Sequence, residues 1–130
     1  IARRVAAASP GTAIVLGGET TVRLGKHPGR GGRNQELALA AAIEVDGREG
    51  LTIVAFGTDG VDGNTDAAGA VITGRTCQLA RAAGLDPQES LSGHDSFTFF
   101  EALDRLGDAH LIRTGPTGTN VNDVVVALRV

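Results

Sequence analysis

A continuous apolar run, LTIVAFG at residues 51–57, leads directly into the glycine- and aspartate-rich segment TDGVDGNTD. An uncharged run of this length is typical of a strand that is buried on both faces of a sheet. Runs of similar character stand at 12–18 (TAIVLGG), 110–115 (HLIRTG) and 123–130 (DVVVALRV). The chain is therefore expected to fold around a mostly buried sheet whose strands end at glycine-rich polar loops.

Helical patterns alternate with these runs. Apolar residues at helical spacing, or helix start and stop signals, are found at 33–45, 73–83 and 96–106. The segment ETTVRLG (19–25) alternates between polar and apolar residues like a partner strand of 12–18. This order predicts an α/β fold, with a layered sheet of mostly parallel or mixed strands and flanking helices.

The length of 130 residues fits one domain, and no repeat or linker divides residues 1–130. The sequence contains no Met, and its first residues, IARRVAAA, resemble the last turns of a helix that enters from upstream. We therefore expect the chain to be a fragment of a longer polypeptide.

Charge and cysteine content narrow the class of protein. The formal net charge is −3, whereas affinity for a phosphate backbone needs a broad basic face. No apolar run approaches the roughly 18 residues of a membrane span. We therefore expect neither nucleic acid nor a membrane as a partner. The single cysteine, Cys77, cannot form an internal disulfide, which favours a reducing, cytoplasmic location.

Three glycine-rich polar loops, at 25–32, 57–66 and 114–122, each follow a predicted strand. Ligands of open α/β sheets bind outside the carboxyl ends of the strands. If these ends meet at one edge of the sheet, the three loops form a single pocket wall.

The first loop continues into the predicted helix as GKHPGRGGRNQE (25–36). Gly31 and Gly32 allow backbone N–H groups to approach a ligand closely. Arg33 and Asn34 then begin the helix, where free N–H groups favour an anion and an arginine can bind a carboxylate or phosphate. The segment matches neither G-x-x-x-x-G-K-[ST] nor G-x-G-x-x-G. An anion site and a solvated glycine-rich turn are both open interpretations.

The second loop places Asp59, Asp62 and Asp66 within eight residues. Three carboxylates at this spacing repel each other unless a metal ion or an arginine lies among them. The pattern is not an EF-hand, because Ala67 stands at the glycine position and Thr73 at that of the final glutamate. Alternatively, Asp62 and Asp66 cap turns or helices through their side chains.

The third loop, TGPTGTNVND, offers hydroxyl, amide and backbone N–H groups. Such groups suit a sugar, a hydroxy acid or the oxygens of a phosphate. A tight turn held by asparagine side chains explains the same residues.

Five blocks of the sequence resemble a known family: GGETTV, GRGGRNQELALAAA, GTDGVDGNTDAAGAV, RAAGLDP and TGPTGTNVND. In this order and spacing, from about Val15 to Val130, they are similar to the MOFRL domain, the C-terminal domain of type-2 glycerate kinases. Relatives in that family are often labelled hydroxypyruvate reductases.

The resemblance implies a two-domain enzyme, in which an N-terminal nucleotide-binding domain packs against this one and the active site lies in the cleft. It implies transfer of the γ-phosphoryl group of ATP to the 2-hydroxyl of D-glycerate, with Mg²⁺. The expected partners are thus a small hydroxy acid, ATP and the chain's own N-terminal domain. A homodimer is left open.

The resemblance also implies site residues. Arg33 and Asp59 match active-site positions of the family. Arg33 would clamp a carboxylate or the transferring phosphoryl group, and Asp59 would hold Mg²⁺ or accept the proton of the attacking hydroxyl. Glu19 and Glu36 either orient Arg33 or Asn34 or serve as structural charges. The substrate-binding candidates are Gly31, Gly32, Asn34, Asp62, Thr65, Asp66, Thr117, Thr119 and Asn120.

Two other functions stay open. One is a reductase of hydroxypyruvate or tartronate semialdehyde, which requires a nicotinamide site that this chain does not show by any dinucleotide fingerprint. The other is a stand-alone module that binds a small anion without catalysis. For the kinase, we predict that the isolated 130-residue chain is inactive, because the implied nucleotide-binding domain and its lysine are not part of it.

Overall fold

The computed structural model describes residues 1–130 and contains five strands and five helices. The strands are β1 (Thr12–Gly18), β2 (Leu51–Gly57), β3 (Gly69–Thr73), β4 (Leu111–Ile112) and β5 (Asp123–Arg129). The helices are α1 (Ala2–Ala6), α2 (Arg33–Glu44), α3 (Thr76–Ala82), α4 (Pro87–Ser92) and α5 (Ser96–Arg105). None of the helices combines the length and the apolar character that a membrane crossing requires.

All five strands belong to one sheet, in the order β1-β5-β2-β3-β4, and every neighbouring pair is antiparallel. The α/β class is therefore confirmed, but the prediction of mostly parallel or mixed strands is wrong. A helix between two strands, such as α2 between β1 and β2, favours parallel neighbours. Here β5, the last strand of the chain, lies between β1 and β2 and runs against both of them.

Several element boundaries differ from the sequence-based expectation. Residues 19–25 form no strand, so the predicted partner for 12–18 is wrong, and β1 pairs with β5 alone. The predicted strand at 110–115 shortens to the two residues of β4. Helix α4 lies outside the predicted helices. Its start carries a recognisable signal, since the Asp86 side chain accepts hydrogen bonds from two backbone N–H groups and Pro87 follows.

One face of the sheet packs against the helices and forms the core. The register aligns two rows of side chains on this face, Ile14, Ala127, Ile53 and Ile72 in the first and Leu16, Val125, Ala55 and Ala70 in the second. Ala38, Leu39 and Ala42 of α2 are fully buried in the same cluster, as is Phe100 of α5. Because so many of these side chains are alanines, α2 lies close to the sheet.

The opposite face of the sheet has no helix on it. Val15, Val126, Val54 and Val71 form one row across four strands on this face, and Val15 is 65% exposed. Accordingly, β2 alternates between buried and half-buried residues. The prediction that LTIVAFG is buried on both faces is therefore wrong, and its apolar second face is open.

The glycine-rich loops lie at one edge of the sheet. The register pairs Asp123, at the start of β5, with Gly18 at the end of β1 and Gly57 at the end of β2. In the same way, Gly69 at the start of β3 pairs with Ile112 at the end of β4. Strands β1, β2 and β4 thus point in one direction, and their carboxyl ends share an edge despite the antiparallel pairing.

Candidate active site

The first and second loops are joined by two hydrogen bonds between Gly31 and Asn64. The Gly31 N–H donates to Oδ1 of Asn64 (3.2 Å), and the Asn64 N–H donates to the carbonyl of Gly31 (3.4 Å). A Cβ added at Gly63 would collide with the same carbonyl. Glycine at position 63, where φ is +62°, is therefore needed both for the backbone conformation and for the contact between the loops.

The second and third loops are joined in the same manner. The Thr117 N–H donates to the Asp59 carbonyl (3.1 Å), and the Val121 N–H donates to the Thr58 hydroxyl (2.8 Å). A Cβ added at Gly60 would collide with the carbonyl of Gly115. All three loops therefore form one continuous surface, which confirms that they share an edge.

Arg33 is the first residue of α2, and its side chain turns toward the start of β5. Its Nε donates to Oδ2 of Asp123 and its Nη2 donates to Oδ1, both at 2.7 Å. These hydrogen bonds raise the pKa of Arg33 above its ordinary value. The Nη1 group makes no hydrogen bond within the chain, and the side chain is 31% exposed. Arg33 therefore presents one free edge to solvent.

Asp123 is only 3% exposed and is missing from the sequence-based candidates. Besides Arg33, it accepts hydrogen bonds from the Thr20 N–H (3.3 Å) and hydroxyl (3.1 Å) and from Nδ2 of Asn34 (3.1 Å). Burial alone would raise the pKa of Asp123, but the hydrogen bonds from Arg33 and Asn34 outweigh it and hold this pKa below its ordinary value.

The glutamates considered as partners of Arg33 do not fill that role. Glu36 lies instead against Nδ1 of His94, with its two oxygens at 2.9 and 3.0 Å. Glu19 makes no side-chain hydrogen bond. An aspartate that opens an apolar strand at the loop edge is the signal that could have indicated Asp123.

Asp62 is fully buried and binds the start of α2. Its Oδ1 accepts the N–H (3.0 Å) and Nδ2 (3.2 Å) of Asn34, and its Oδ2 accepts the N–H (2.9 Å) and Nε2 (3.0 Å) of Gln35. The residue before the helix, Gly32, has no side chain to cap it, and a Cβ there would collide with Asp62. Asp62 thus caps α2 from another loop, in agreement with the capping interpretation.

The remaining carboxylates of the second loop face outward. Asp59 is half-buried, and its Oδ1 accepts the N–H of Val61 (3.1 Å) while Oδ2 makes no hydrogen bond within the chain. Asp66 is exposed and pairs with Arg113 at 3.2 Å. The Thr65 hydroxyl bridges inward, donating to the Asp62 carbonyl (2.8 Å) and accepting from Gln35 (2.9 Å). No group of three or more His, Cys, Asp or Glu side chains is placed to hold a metal ion.

The candidates of the third loop are all exposed. The Thr117 hydroxyl donates to the carbonyl of Thr58 (2.5 Å), and Oδ1 of Asn120 accepts the N–H of Asn122 (2.9 Å). Thr119 takes part only through its backbone, with its N–H near the Thr117 hydroxyl (3.5 Å). The asparagine turn expected as an alternative is therefore present, and it leaves the Thr119 hydroxyl and the Asn120 amide nitrogen free.

A model of the MOFRL family matches residues 12–123. The chain belongs to the MOFRL family. D-glycerate 2-kinase of Thermotoga maritima is 50% identical over 116 residues, which are 89% of this chain and 26% of that protein. Glycerate 2-kinase of Pyrococcus horikoshii is 47% identical over 98% of this chain and 28% of its own length. A protein of Agrobacterium vitis, provisionally named a hydroxypyruvate reductase, is 49% identical over 85% of this chain and 24% of its own length.

Solved structures share the fold of this MOFRL chain. A crystal structure of glycerate kinase from Thermotoga maritima superposes with a TM-score of 0.81 at 50% identity, covering 91% of this chain and 27% of that one. A protein from Pyrococcus horikoshii superposes with a TM-score of 0.84 at 46% identity, covering 99% and 28%. The chain thus spans about a quarter of the length of the relatives that it matches.

The MOFRL chain also has a cleft of about 360 Å³ beside the start of α2. Gly31, Gly32 and Arg33 form one wall and His94 lies on another. His94 was not among the sequence-based candidates. Arg33 thus brings a cation to this cleft, and Gly31 and Gly32 bring glycine backbone. Asp59, which has a free carboxylate oxygen, lies on the same loop surface outside the cleft lining.

Proposed function

We propose that this chain is the C-terminal domain of a glycerate 2-kinase. The reaction is transfer of the γ-phosphoryl group of ATP to the 2-hydroxyl of D-glycerate, in a cleft completed by an N-terminal nucleotide-binding domain. The observation that carries this proposal is the placement of Arg33, held by Asp123 on one edge and free on the other, on the same loop surface as Asp59. Relatives named glycerate 2-kinase share about half of the chain's residues.

Arg33 acts as the anion-binding group in this reaction. Phosphoryl transfer depends on positioning and on neutralising the charge of the transferring group rather than on covalent chemistry of the protein. A guanidinium with a free Nη1 edge suits either the carboxylate of glycerate or the oxygens of the γ-phosphoryl group. Like any guanidinium in a protein, Arg33 is positively charged throughout the working pH range.

Asp59 is the residue that would hold Mg²⁺. Because Mg²⁺ in kinase sites binds to one or two carboxylates together with substrate phosphates, a single carboxylate with a free oxygen fits its preference. When bound, the ion supplies neutralisation of the phosphate charge. The same free Oδ2 suits a second role, in which Asp59 accepts the proton of the attacking 2-hydroxyl.

The third loop supplies neutral groups to the proposed inter-domain site from the same loop surface, although none of its residues lines the cleft beside the start of α2. Thr119 and Asn120 present a hydroxyl and an amide nitrogen that make no other side-chain hydrogen bond. Small-molecule sites commonly combine a few such hydroxyl and amide groups with a charged residue. By contrast, Asp62, Thr65 and Asn34 bind other parts of the chain, so their contribution to substrate binding is to hold the start of α2 in place.

A reduction of hydroxypyruvate is the second candidate, because relatives from Agrobacterium vitis carry that name. Arg33 would bind the carboxylate of either substrate, so the loop surface alone fits both reactions. They differ in the second substrate, which is ATP for the kinase and a reduced nicotinamide for the reductase.

The test measures ADP release by the full-length polypeptide with D-glycerate, ATP and Mg²⁺, and in parallel the oxidation of NADH and NADPH with hydroxypyruvate. Arg33→Ala should lower kcat/KM of the kinase by about 10³- to 10⁵-fold. Arg81→Ala is the matched control, because Arg81 also pairs with an aspartate, Asp46, but at the far end of α2. Hydroxypyruvate-dependent oxidation without ADP release would reject the kinase in favour of the reductase.

A further inference from the structure

The ion pair between Arg33 and Asp123 differs from the other arginine pairs of the chain. Arg3 pairs with Glu44, and Arg81 with Asp46, through arginine side chains that are 86% and 52% exposed. Asp123 is 3% exposed and is bound by both Nε and Nη2 of Arg33. A two-point contact to a buried carboxylate fixes the plane of the guanidinium as well as its distance.

The carboxylate is itself held in place. Asp123 opens β5 between the ends of β1 and β2, and the Thr20 N–H, the Thr20 hydroxyl and the Asn34 amide all donate to it. A group fixed by the middle of the sheet and by three further hydrogen bonds does not move to follow the arginine. The orientation of the guanidinium is therefore set by Asp123.

We propose that Asp123 is a positioning residue that turns the free Nη1 edge of Arg33 toward the substrate cleft. The role assigned to Asp123 rests on the proposed kinase function. It deepens that function by naming the residue that makes Arg33 competent, which lies 90 residues further along the chain.

The carboxylates around Arg33 show why such a residue is needed. Asp59 and Asp62 also act on Arg33 through their charge. Without a fixed partner, the flexible arginine stem could turn toward Asp59, and both groups would be lost to the substrate. By occupying Nε and Nη2, Asp123 leaves Nη1 of Arg33 and Oδ2 of Asp59 available at the same time.

A double-mutant cycle on the full-length polypeptide tests this role. Asp123→Asn should lower kcat/KM for D-glycerate by about 10²-fold, the cost of a misplaced catalytic group. In the Arg33→Ala background the same change should lower it no further, because Asp123 acts only through Arg33. Losses that multiply in the double variant would overturn the proposal. Asp46→Asn, which breaks the pair with Arg81 at the other end of α2, is the control and should leave kcat/KM unchanged.

Chemical modification gives a readout that does not depend on catalysis. Phenylglyoxal reacts with guanidinium groups, and peptide mass spectrometry measures its rate at Arg33. The rate should rise in Asp123→Asn while the rate at Arg81 stays constant. An unchanged modification rate at Arg33 would refute the proposal that Asp123 fixes the guanidinium of Arg33. Absence of kinase activity in the unmodified protein, with protection of Arg33 intact, would instead reject the proposed function.

A second variant tests the proposal if Asp123→Asn is too unstable to assay. Asp123→Glu retains the charge and the ion pair but moves the carboxylate outward by one methylene. Where Asp123→Asn unfolds below the assay temperature, Asp123→Glu should fold, lower kcat/KM less than Arg33→Ala does, and again add nothing in the Arg33→Ala background. The proposal is rejected if Asp123→Glu is fully active and the losses in kcat/KM multiply in the double-mutant cycle. Asp123 would then have only a structural role.

Discussion

Two buried aspartates flank the start of α2, and their carboxylates are stabilised in different ways. Asp62 is surrounded by uncharged donors, the backbone and amide N–H groups of Asn34 and Gln35. Asp123 is bound by the guanidinium of Arg33 on one side and by Thr20 and Asn34 on the other. Both carboxylates are almost inaccessible, at 0% and 3% exposure.

The difference shows that a buried aspartate fixes the start of a helix in one region and holds a partly exposed arginine in the other. All four donors around Asp62 lie on α2, so every hydrogen bond of this carboxylate helps to fix the start of the helix. Around Asp123, the arginine donates two of its N–H groups and keeps the Nη1 edge free. Only the second arrangement leaves a charge that a ligand can reach.

The largest effect on stability is expected at Asp62. Asp62→Ala leaves the backbone N–H groups of Asn34 and Gln35 without their acceptor. It also removes one acceptor from each of their side-chain amides, which keep Asp123 and Thr65 respectively. Burying an unsatisfied donor costs on the order of 1–3 kcal/mol before relaxation. We expect a net loss of about 3 kcal/mol in the free energy of unfolding. Urea denaturation of the full-length polypeptide, followed by circular dichroism, measures it.

Asp66→Ala is the control for that loss. Asp66 lies four residues further along the loop and is 69% exposed in its pair with Arg113. Because exposed ion pairs contribute little, this change should alter the free energy of unfolding by less than about 1 kcal/mol. Equal losses for the two aspartates would show that Asp62 is not a special cap.

Parts of this arrangement are predictable from the sequence because they depend on local pattern. The glycines of the three loops, the start of α2 at Arg33 and the presence of a strand at 51–57 all carry short-range signals. The shared edge was also predictable, although the reason differs. The prediction of mostly parallel or mixed strands is wrong, but β1, β2 and β4 still point the same way, with β5 and β3 running between them in the opposite direction.

The partners of the site residues could not be predicted in this way. Asp123 is 90 residues from Arg33, and Asp62 is 28 residues from Asn34. Such contacts depend on the strand order, which follows from how the whole chain packs and not from any one segment. A sequence pattern therefore indicates Arg33, but it offers only Glu19 and Glu36 as candidates to orient it, with a purely structural role for both as the alternative.

The acid stability of the protein should depend on the Asp123 ion pair. Because the pKa of Asp123 is held below its ordinary value of 3.8, the folded state binds this proton less readily than the unfolded state does. The stabilisation from Asp123 is thus complete above the ordinary pKa and is lost as the pH falls through the lowered one. We expect the melting temperature to decrease when the pH is lowered beyond about 4. This decrease with pH should be shallower in Asp123→Asn. Equal slopes for both proteins would contradict this assignment.

The smallest effects concern the hydroxyl that supports each aspartate. The Thr20 hydroxyl donates to Asp123 at 3.1 Å, and the Thr65 hydroxyl donates to the Asp62 carbonyl at 2.8 Å while accepting from Gln35 at 2.9 Å. Thr65→Val should cost about 1–2 kcal/mol of unfolding free energy, because it also leaves the buried Gln35 amide with one partner fewer. Thr20→Val should cost about 0.5–1 kcal/mol, because Arg33 still neutralises Asp123. The same denaturation experiment measures both variants. A larger loss of unfolding free energy for Thr20→Val than for Thr65→Val would contradict this order. It would mean that the uncharged network around Asp62 tolerates the loss of one hydrogen bond better than the ion pair of Asp123 does.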